Sequence, residues 1–165
     1  MTMPRTTSSQ LIISLPSDLT DDQKREVGER VIENIRDVTL EGKEPDTGAD
    51  YPAYSESYKS SQAYKALKGG DTPNLRLFGT MMNSLSVLNT GPSSVTIGFQ
   101  AEQALKSQGN SQRGGRIHLA VSDADLATFV DEVRGEGLSE EDSAASQLFE
   151  SFLTAQLTNI FSSDA

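Results

Sequence analysis

His118 is the only histidine of this 165-residue chain, and histidine is the side chain best suited to acid–base chemistry near neutral pH. Asp123 and Asp125 follow it closely, and a hydrolase could use His118 with either carboxylate as a general acid–base pair. Ser122 favours a different interpretation, because serine followed by acidic residues is typical of a helix start, where carboxylates complement the helix dipole. We expect His118 to be structural and the protein not to be an enzyme.

Other patterns resemble chemical sites but lack residues that such sites require. The chain has no cysteine, which excludes disulfides, thiolate metal sites and cysteine nucleophiles. Residues 109–115 are glycine-rich, but no Gly-Lys-Ser/Thr follows them, so they do not form a phosphate-binding loop. The acidic residues of the 41–50 stretch (Glu41, Glu44, Asp46 and Asp50) lack the spacing of a calcium loop. We therefore expect no catalytic residue, no cofactor and no bound metal.

The net charge of −10 is unevenly distributed along the chain. Residues 123–165 contain ten carboxylates and one arginine, whereas residues 1–122 are about neutral and residues 59–76 are mildly basic. A protein that grips duplex DNA needs a basic stripe, and an acidic surface repels phosphate. No apolar run approaches the ~20 residues of a bilayer span, and the first ten residues have no apolar signal core. We expect a protein made in the cytoplasm that neither enters a membrane nor grips DNA.

The N-terminal half combines one strand, one long helix and a long irregular stretch. Residues 1–9 are polar and expected to be disordered, and residues 10–15 read as a strand. Thr20 and Gln23 form a capping box that opens a helix to about Leu40, with Gly42 as its stop. Residues 41–73 are rich in Gly, Pro and Asp and include all four tyrosines, so we expect an extended arm. No internal repeat is apparent.

The C-terminal half alternates short strands and helices. Residues 86–88 and 94–99 read as a hairpin with its turn at 89–92, and residues 101–108 as a helix. A flexible loop over 109–115, a strand over 116–121 and a helix after Ser122 follow. With 35% apolar residues and a mean hydropathy of −0.43, the core must be lean. We predict an α+β fold: a small antiparallel sheet packed by helices, with a disordered N-terminus (1–9), a main domain (10–138) and an acidic C-terminal helix and tail (139–165).

The last helix, predicted over 140–161, carries apolar residues around more than half of its circumference. A helix packed on one domain surface needs a narrower stripe, so it either contacts a partner or forms a lid over its own sheet. Tyrosines of the arm would supply contact area at low entropic cost. The candidate interface residues are Tyr51, Tyr54, Tyr58, Phe149, Phe152, Leu153, Leu157 and Phe161.

The middle of the chain resembles the neck or tail-completion proteins of tailed bacteriophages, also called virion morphogenesis proteins. That family shows a Tyr-Ser-x-x-Tyr segment after its first helix, then a Leu-x-x-x-Gly-x-Met/Leu motif, an Ile-Gly-Phe strand, a Gly-Asn loop and an Arg-x-Phe-Leu-Gly stretch. The likeness covers about residues 20–134. Thr80, His118, Ala120 and the terminal helix depart from it. Beyond Tyr54 and Tyr58, the matching residues are Leu77, Gly79, Met81, Ile97, Gly98, Phe99, Gly109, Asn110 and Arg116.

The resemblance implies a structural protein that assembles with itself as a ring, a hexamer or a dodecamer, in the neck of the virion. Such a ring joins the portal-side connector or adaptor to the tail proteins and lines part of the channel through which DNA passes. A tail terminator or a head-side adaptor is the alternative within this class. A monomeric acidic protein that binds and regulates another protein is the alternative from a different class.

Overall fold

A computed structural model of the protein describes residues 4–66, 73, 80–113, 115–136 and 151–152. The chain divides into two compact units, Met1–Val130 and Asp131–Ala165, so the boundary lies earlier than the expected one at residue 138. Of the second unit the structure describes residues 131–136 and 151–152, which are helical. The predicted α+β class is confirmed by two small antiparallel sheets and several helices.

The long helix α1 (Asp21–Leu40) begins and ends as its sequence predicts. Gln23 N donates to Thr20 Oγ1 at 3.2 Å, and Thr20 N donates to Gln23 Oε1 at 3.0 Å, which completes the capping box. Gly42 adopts a φ of 79°, a left-handed conformation that ends helices. The buried residues recur on one face of α1, which packs against the strands β3 (Ser86–Gly91) and β4 (Ser94–Gly98). These buried residues include Val27, Val31, Ile32 and Ile35.

The larger sheet has the order β2 (Gln10–Ser14), β4 (Ser94–Gly98), β3 (Ser86–Gly91), all antiparallel. In β2 the buried Leu11 and Ile13 alternate with exposed residues, because the sheet is covered by α1 on one face. The predicted hairpin is confirmed, but its turn lies at residues 92–93 rather than 89–92. A register shift between Val87 and Asn89 takes up one residue, and β3 then pairs with β4 up to Gly91.

The smaller sheet pairs β1 (Arg5–Thr6) with β5 (Leu119–Ala120). Residues 1–9 were expected to be disordered, but Arg5 pairs with Ala120, and Val121 N donates to Pro4 O at 3.0 Å. The strand expected over 116–121 is correspondingly short, and its residues 118–121 are all buried. Two residues are too few to show the alternation that marks a strand in the sequence. These two short strands form only because they pair with each other across the unit.

The stretch from residue 41 to 66 lies on the domain and does not form an extended arm. Glu44 N donates to Ala49 O at 2.8 Å and Tyr51 N donates to Gly42 O at 2.7 Å, which closes residues 42–51 into a compact loop. Two short helices follow, α2 (Glu56–Lys59) and α3 (Gln62–Ala66). The stretch stays on the domain because the backbone groups of the 42–51 loop bond with one another and the Tyr51 ring is buried.

Helix α5 (Ala101–Gln108) has the predicted bounds, but the expected flexible loop after it is partly helical. Residues Gly109–Arg113 form a π-helical turn that continues α5. Asn110 Nδ2 donates to Lys106 O at 2.9 Å, so this turn is held by a side chain as well as by its backbone. Residues 123–136, designated α6, are helical, and Ser122 caps them as predicted, since Asp125 N donates to Ser122 Oγ at 3.0 Å.

Two cations of α1 donate hydrogen bonds to backbone carbonyl groups of the segments packed beside it. The buried Lys24 ammonium donates to the carbonyls of Gly91 and Pro92 at the hairpin turn and pairs with Asp21 Oδ1 at 2.8 Å. Arg36 donates to Met82 O and Leu85 O at the end of α4 (Thr80–Asn83). Carbonyls at a helix end need such donors, so α1 organises the segments packed beside it.

Several residues of the family resemblance serve packing. Ile97 and Phe99 are completely or almost completely buried, and Met81 is buried too. At Gly98 the backbone of residues 9 and 10 lies where a side chain would begin. An added Cβ would overlap Ser9 O and lie 2.9 Å from Gln10 Cα. Gly109 has no such neighbour within 4 Å. The fold therefore requires a glycine at position 98 for steric reasons, but not at position 109.

We predict that Gly98→Ala lowers the free energy of unfolding by about 2 kcal/mol, since the obstructing atoms are backbone and cannot rotate away. Gly109→Ala is the matched control. Its helical φ of −60° suits alanine, so the expected change is a gain of about 0.5 kcal/mol. Urea unfolding of the two variants beside the parent protein measures both values. Equal stability of the two variants would contradict the assigned close approach at Gly98.

Candidate functional site

His118 lies in the core of the first unit and is fully buried. Its Nδ1 is 2.9 Å from Arg116 O, and its Nε2 is 2.8 Å from Ser107 Oγ. A carbonyl can only accept, so Nδ1 carries the proton, and Nε2 accepts from the Ser107 hydroxyl. Ser111 Oγ lies 3.4 Å from Nδ1, and the Phe99 ring centroid is 5.8 Å from the imidazole. His118 thus links α5, the π-helical turn and residues 116–121, which we call the strand segment.

This environment keeps the imidazole neutral. Burial lowers the pKa of His118 to about 4, and the Arg116 carbonyl opposes that effect in part. Asp125, a possible partner in the hydrolase interpretation, accepts a hydrogen bond from Ser122 Oγ at 2.6 Å, as expected of a helix cap. The described hydrogen bonds of His118 go to Ser107, Ser111 and Arg116. The geometry therefore favours a structural histidine over a catalytic one.

The acidic loop residues Glu44 and Asp46 pair with the N-terminal strand. Arg5 Nη2 lies 3.4 Å from Glu44 Oε2, and Arg5 Nε lies 3.3 Å from the buried Asp46 Oδ2. The second contact is an ion pair without hydrogen-bond alignment, while Asp46 Oδ1 accepts from Thr47 N. Within the described ranges, no group of three or more acidic or histidine side chains is arranged to hold a metal ion. These carboxylates tie the loop to β1.

Three tyrosines and one arginine form the most distinctive polar–aromatic cluster on the first unit. Tyr54 and Tyr58 have ring centroids 4.9 Å apart, and Tyr64 lies 5.8 and 5.7 Å from them. The Arg116 guanidinium carbon lies 5.0 Å from the Tyr54 centroid, within cation–π distance. All four residues are half-buried. We call Tyr54, Tyr58, Tyr64 and Arg116 the tyrosine surface.

Arg116 holds the tyrosine surface in place. Its Nη2 donates to Pro52 O at 3.2 Å and to Ala53 O at 3.3 Å, so one guanidinium fixes the backbone directly before Tyr54. Partial burial and the neighbouring Tyr54 raise the pKa of Tyr58. Half-buried tyrosines beside an arginine are the residue types most enriched at protein-interface hot spots. The arrangement is suited to binding another macromolecule.

Tyr51, which was expected to belong to the same interface, lies in the core. Only 5% of it is exposed, and its hydroxyl donates to Ile117 O at 3.0 Å. Burial, with smaller effects of Glu44 and Asp46, raises the pKa of Tyr51 far above its usual range. The Tyr51 side chain packs in the core, where it joins the end of the 42–51 loop to the strand segment at Ile117. Tyr51 is therefore removed from the set of interface candidates.

Tyr64 is the member of the surface that sequence reasoning missed, although a signal for it exists. The short pattern Ser-x-x-Tyr-Lys occurs twice, at residues 55–59 and 61–65. Ser55 Oγ accepts from Tyr58 N at 3.3 Å, and Ser61 Oγ accepts from Tyr64 N at 3.2 Å. Each serine caps a short helix, and each cap places a tyrosine at the equivalent position.

Several candidate residues lie outside the described part of the chain: Phe149, Leu153, Leu157 and Phe161 of the interface set, and Leu77 and Gly79 of the resemblance. Phe152 is described, lies in a helical stretch and is 61% exposed. The buried partners of His118, Ser107 and Ser111, were also missed, because their polar side chains had no apolar pattern to indicate burial.

Comparisons with known proteins return no relative: no protein-family model, no curated protein and no solved structure matches this chain. None of the described helices combines the length and apolar character that a bilayer crossing requires. The tyrosine surface is therefore the candidate functional site of the described residues.

We predict that stability depends on pH through His118. The folded pKa of about 4 lies below the unfolded value near 6.5, so the unfolded state takes up the proton first as the pH falls. The contribution is complete above pH 6.5 and is lost progressively towards pH 4, a change of about 3 kcal/mol. His118→Gln should lose this component of the pH dependence measured by urea unfolding. An NMR titration of the single imidazole with a midpoint near 6.5 in the folded protein would contradict the assignment.

A second prediction concerns Arg116. Arg116→Lys keeps the charge but loses the planar fork that contacts two carbonyls and the Tyr54 face, so we expect a loss of about 1–2 kcal/mol in stability. The chain has no tryptophan, so its near-ultraviolet circular dichroism reports mainly on tyrosine, and this signal should weaken. Exposed Arg113→Lys is the matched control and should change neither quantity. An unchanged tyrosine signal in Arg116→Lys would show that Arg116 does not order the cluster.

Proposed function

We propose that this protein is a structural subunit of a tailed-phage virion that forms a homo-oligomeric ring in the neck, between the portal-side connector and the tail. The observation that carries the proposal is the contact between Tyr54 and Arg116. These residues are at opposite ends of the family-like series, and together they form one half-exposed aromatic–cationic surface. A tail terminator or a head-side adaptor would need a surface of the same kind.

The physical properties of the tyrosine surface support a role in subunit contact. Its rings are positioned by two capped helices and by Arg116, so little side-chain freedom remains to be lost on binding. Tyrosine and arginine supply large contact areas with polar ends, which suits an interface that must also be exposed before assembly. This preorganisation lowers the entropic cost of binding a partner.

Other members of the family-like series that the structure describes also support a co-folded unit. Asn110 Nδ2 lies 3.9 Å from Met81 Sδ, a weak contact that joins the π-helical turn to α4. Ile97, Gly98 and Phe99 form the end of the central strand and its exit, where side-chain volume and backbone approach are both constrained. Two pairs of these residues that are distant in the sequence, Tyr54 with Arg116 and Met81 with Asn110, are thus in contact in the described part of the chain.

The charge distribution is consistent with a channel that lets DNA pass without holding it. A net charge of −10 repels phosphate, and ten of the 24 acidic residues lie beyond residue 122. In this proposal DNA is cargo that passes through the ring, with no sequence-specific contact. The virion neck is then the place where the protein acts.

We predict that the parent protein shows a discrete oligomer, a hexamer or dodecamer of the 17.8 kDa chain, in light scattering across a concentration series. Replacing Tyr58 and Tyr64 together by serine should raise the concentration at which half of the protein is assembled by at least about tenfold. Leu105→Ser removes a side chain that is 71% exposed elsewhere on the same unit and serves as the control.

Circular dichroism must show that the variant with both tyrosines replaced remains folded. A loss of assembly can then be attributed to the loss of the subunit contact and not to unfolding. A parent protein that stays monomeric over the whole series would contradict the ring and favour the monomeric acidic regulator. An oligomer unaffected by the tyrosine changes would keep the ring but place its contacts elsewhere.

A further inference from the structure

The segment that carries the three tyrosines also carries cations. In the repeated Ser-x-x-Tyr-Lys pattern, Lys59 and Lys65 directly follow Tyr58 and Tyr64, and the Arg116 guanidinium contacts the Tyr54 ring. The Lys59 ammonium is 3.5 Å from Glu56, whose side chain is 91% exposed, so this pair is weak and solvated. In a chain with a net charge of −10, this surface therefore presents aromatic rings together with positive charge.

One segment of the same chain has the complementary chemistry. Residues 139–165, which we call the terminal segment, contain five carboxylates and no lysine, arginine or histidine. Three phenylalanines accompany these charges, and the described one, Phe152, is 61% exposed in a helical stretch. Carboxylates complement the charges of lysine and arginine, and aromatic rings attract these cations through cation–π contacts.

We propose that the tyrosine surface of one copy binds the terminal segment of a second copy. This inference rests on the proposed ring and names its contact. A closed ring is built from heterologous contacts, in which each subunit offers two different surfaces that fit each other. The chain carries one of each: a cationic aromatic surface on its first unit and an acidic aromatic segment near its end.

A nucleic-acid strand is the other class of partner that aromatic and cationic residues can bind, and the charges disfavour it. Three cations do not make a basic stripe, and the ten carboxylates beyond residue 122 would repel a phosphate backbone. The same carboxylates favour the surface of a neighbouring copy. Assembly should accordingly weaken as the salt concentration rises.

The test uses two charge-reversed full-length variants. The surface variant carries Lys59→Glu and Lys65→Glu, and the segment variant carries Glu140→Lys, Glu141→Lys and Asp142→Lys. Each variant alone opposes like charges at the contact, so the midpoint concentration of assembly should rise by at least about tenfold.

Mixing the two variants should restore assembly, because each copy then offers one element that its neighbour can bind. The acidic terminal segment of the surface variant can bind the unchanged tyrosine surface of the segment variant. The lysine-bearing terminal segment of the segment variant can bind the charge-reversed tyrosine surface of the surface variant. Light scattering of the equimolar mixture, beside each variant alone, measures the recovery. A segment that bound only within its own chain would produce no mixed assembly.

Matched controls carry the same change of charge elsewhere. Lys43→Glu with Lys106→Glu removes two exposed ion pairs of the first unit, as the surface variant removes one. A triple reversal on the exposed side of α1, Glu29→Lys with Glu33→Lys and Asp37→Lys, matches the segment variant. Both controls should assemble like the parent protein.

The outcomes separate this inference from the ring on which it rests. A parent protein that forms rings, with both reversed variants assembling equally well, overturns the docking contact and leaves the ring in place. Loss of assembly in both variants without recovery on mixing also overturns the contact. A parent protein that never assembles overturns the ring and this inference together.

Discussion

The packing of α1 on β3 and β4 is the contact on which the first unit depends, and Gly28 permits it. A Cβ at Gly28 would lie 2.9 Å from Val87 Cγ2 and 3.0 Å from Val95 Cγ2, so the helix could not approach the strands as closely with any larger residue. Valine methyls on a sheet have little freedom to move aside. This close approach buries Val27, Val31 and Ile35 completely and brings Lys24 and Arg36 within reach of the carbonyls that they bind.

Polar links then join the segments that hydrophobic burial alone would leave loosely placed. His118 connects α5, the π-helical turn and the strand segment through neutral hydrogen bonds, and Arg5 ties the N-terminal strand to the 42–51 loop. Leaving a buried polar group without a partner costs more than a hydrogen bond contributes in net stability, so each link tolerates little displacement. A lean core of 35% apolar residues makes such links more important.

The tyrosine surface shows how little sequence is needed to build an organised binding face. Two serine caps, six residues apart, orient Tyr58 and Tyr64, while Arg116 fixes the backbone before Tyr54. The adjacent lysines follow from the same repeat. The proposed ring contact and the proposed partner of this surface thus share one origin, the repeated Ser-x-x-Tyr-Lys pattern.

The sequence by itself determined the features whose signals are local. Capping boxes, apolar periodicity and glycine stops predicted α1, the hairpin strands and α5, because neighbouring residues decide those conformations. Only the tertiary structure decided that residues 4–9 are ordered, that Tyr51 belongs to the core, and that His118 bonds with Ser107. Each of these features depends on a contact between residues that are separated in the chain. The free energy of such a contact depends on closing the intervening loop, which a local sequence pattern does not show. A tyrosine in a polar loop reads the same in sequence whether its ring is buried or exposed, and only the packing of the strand segment against it settles which.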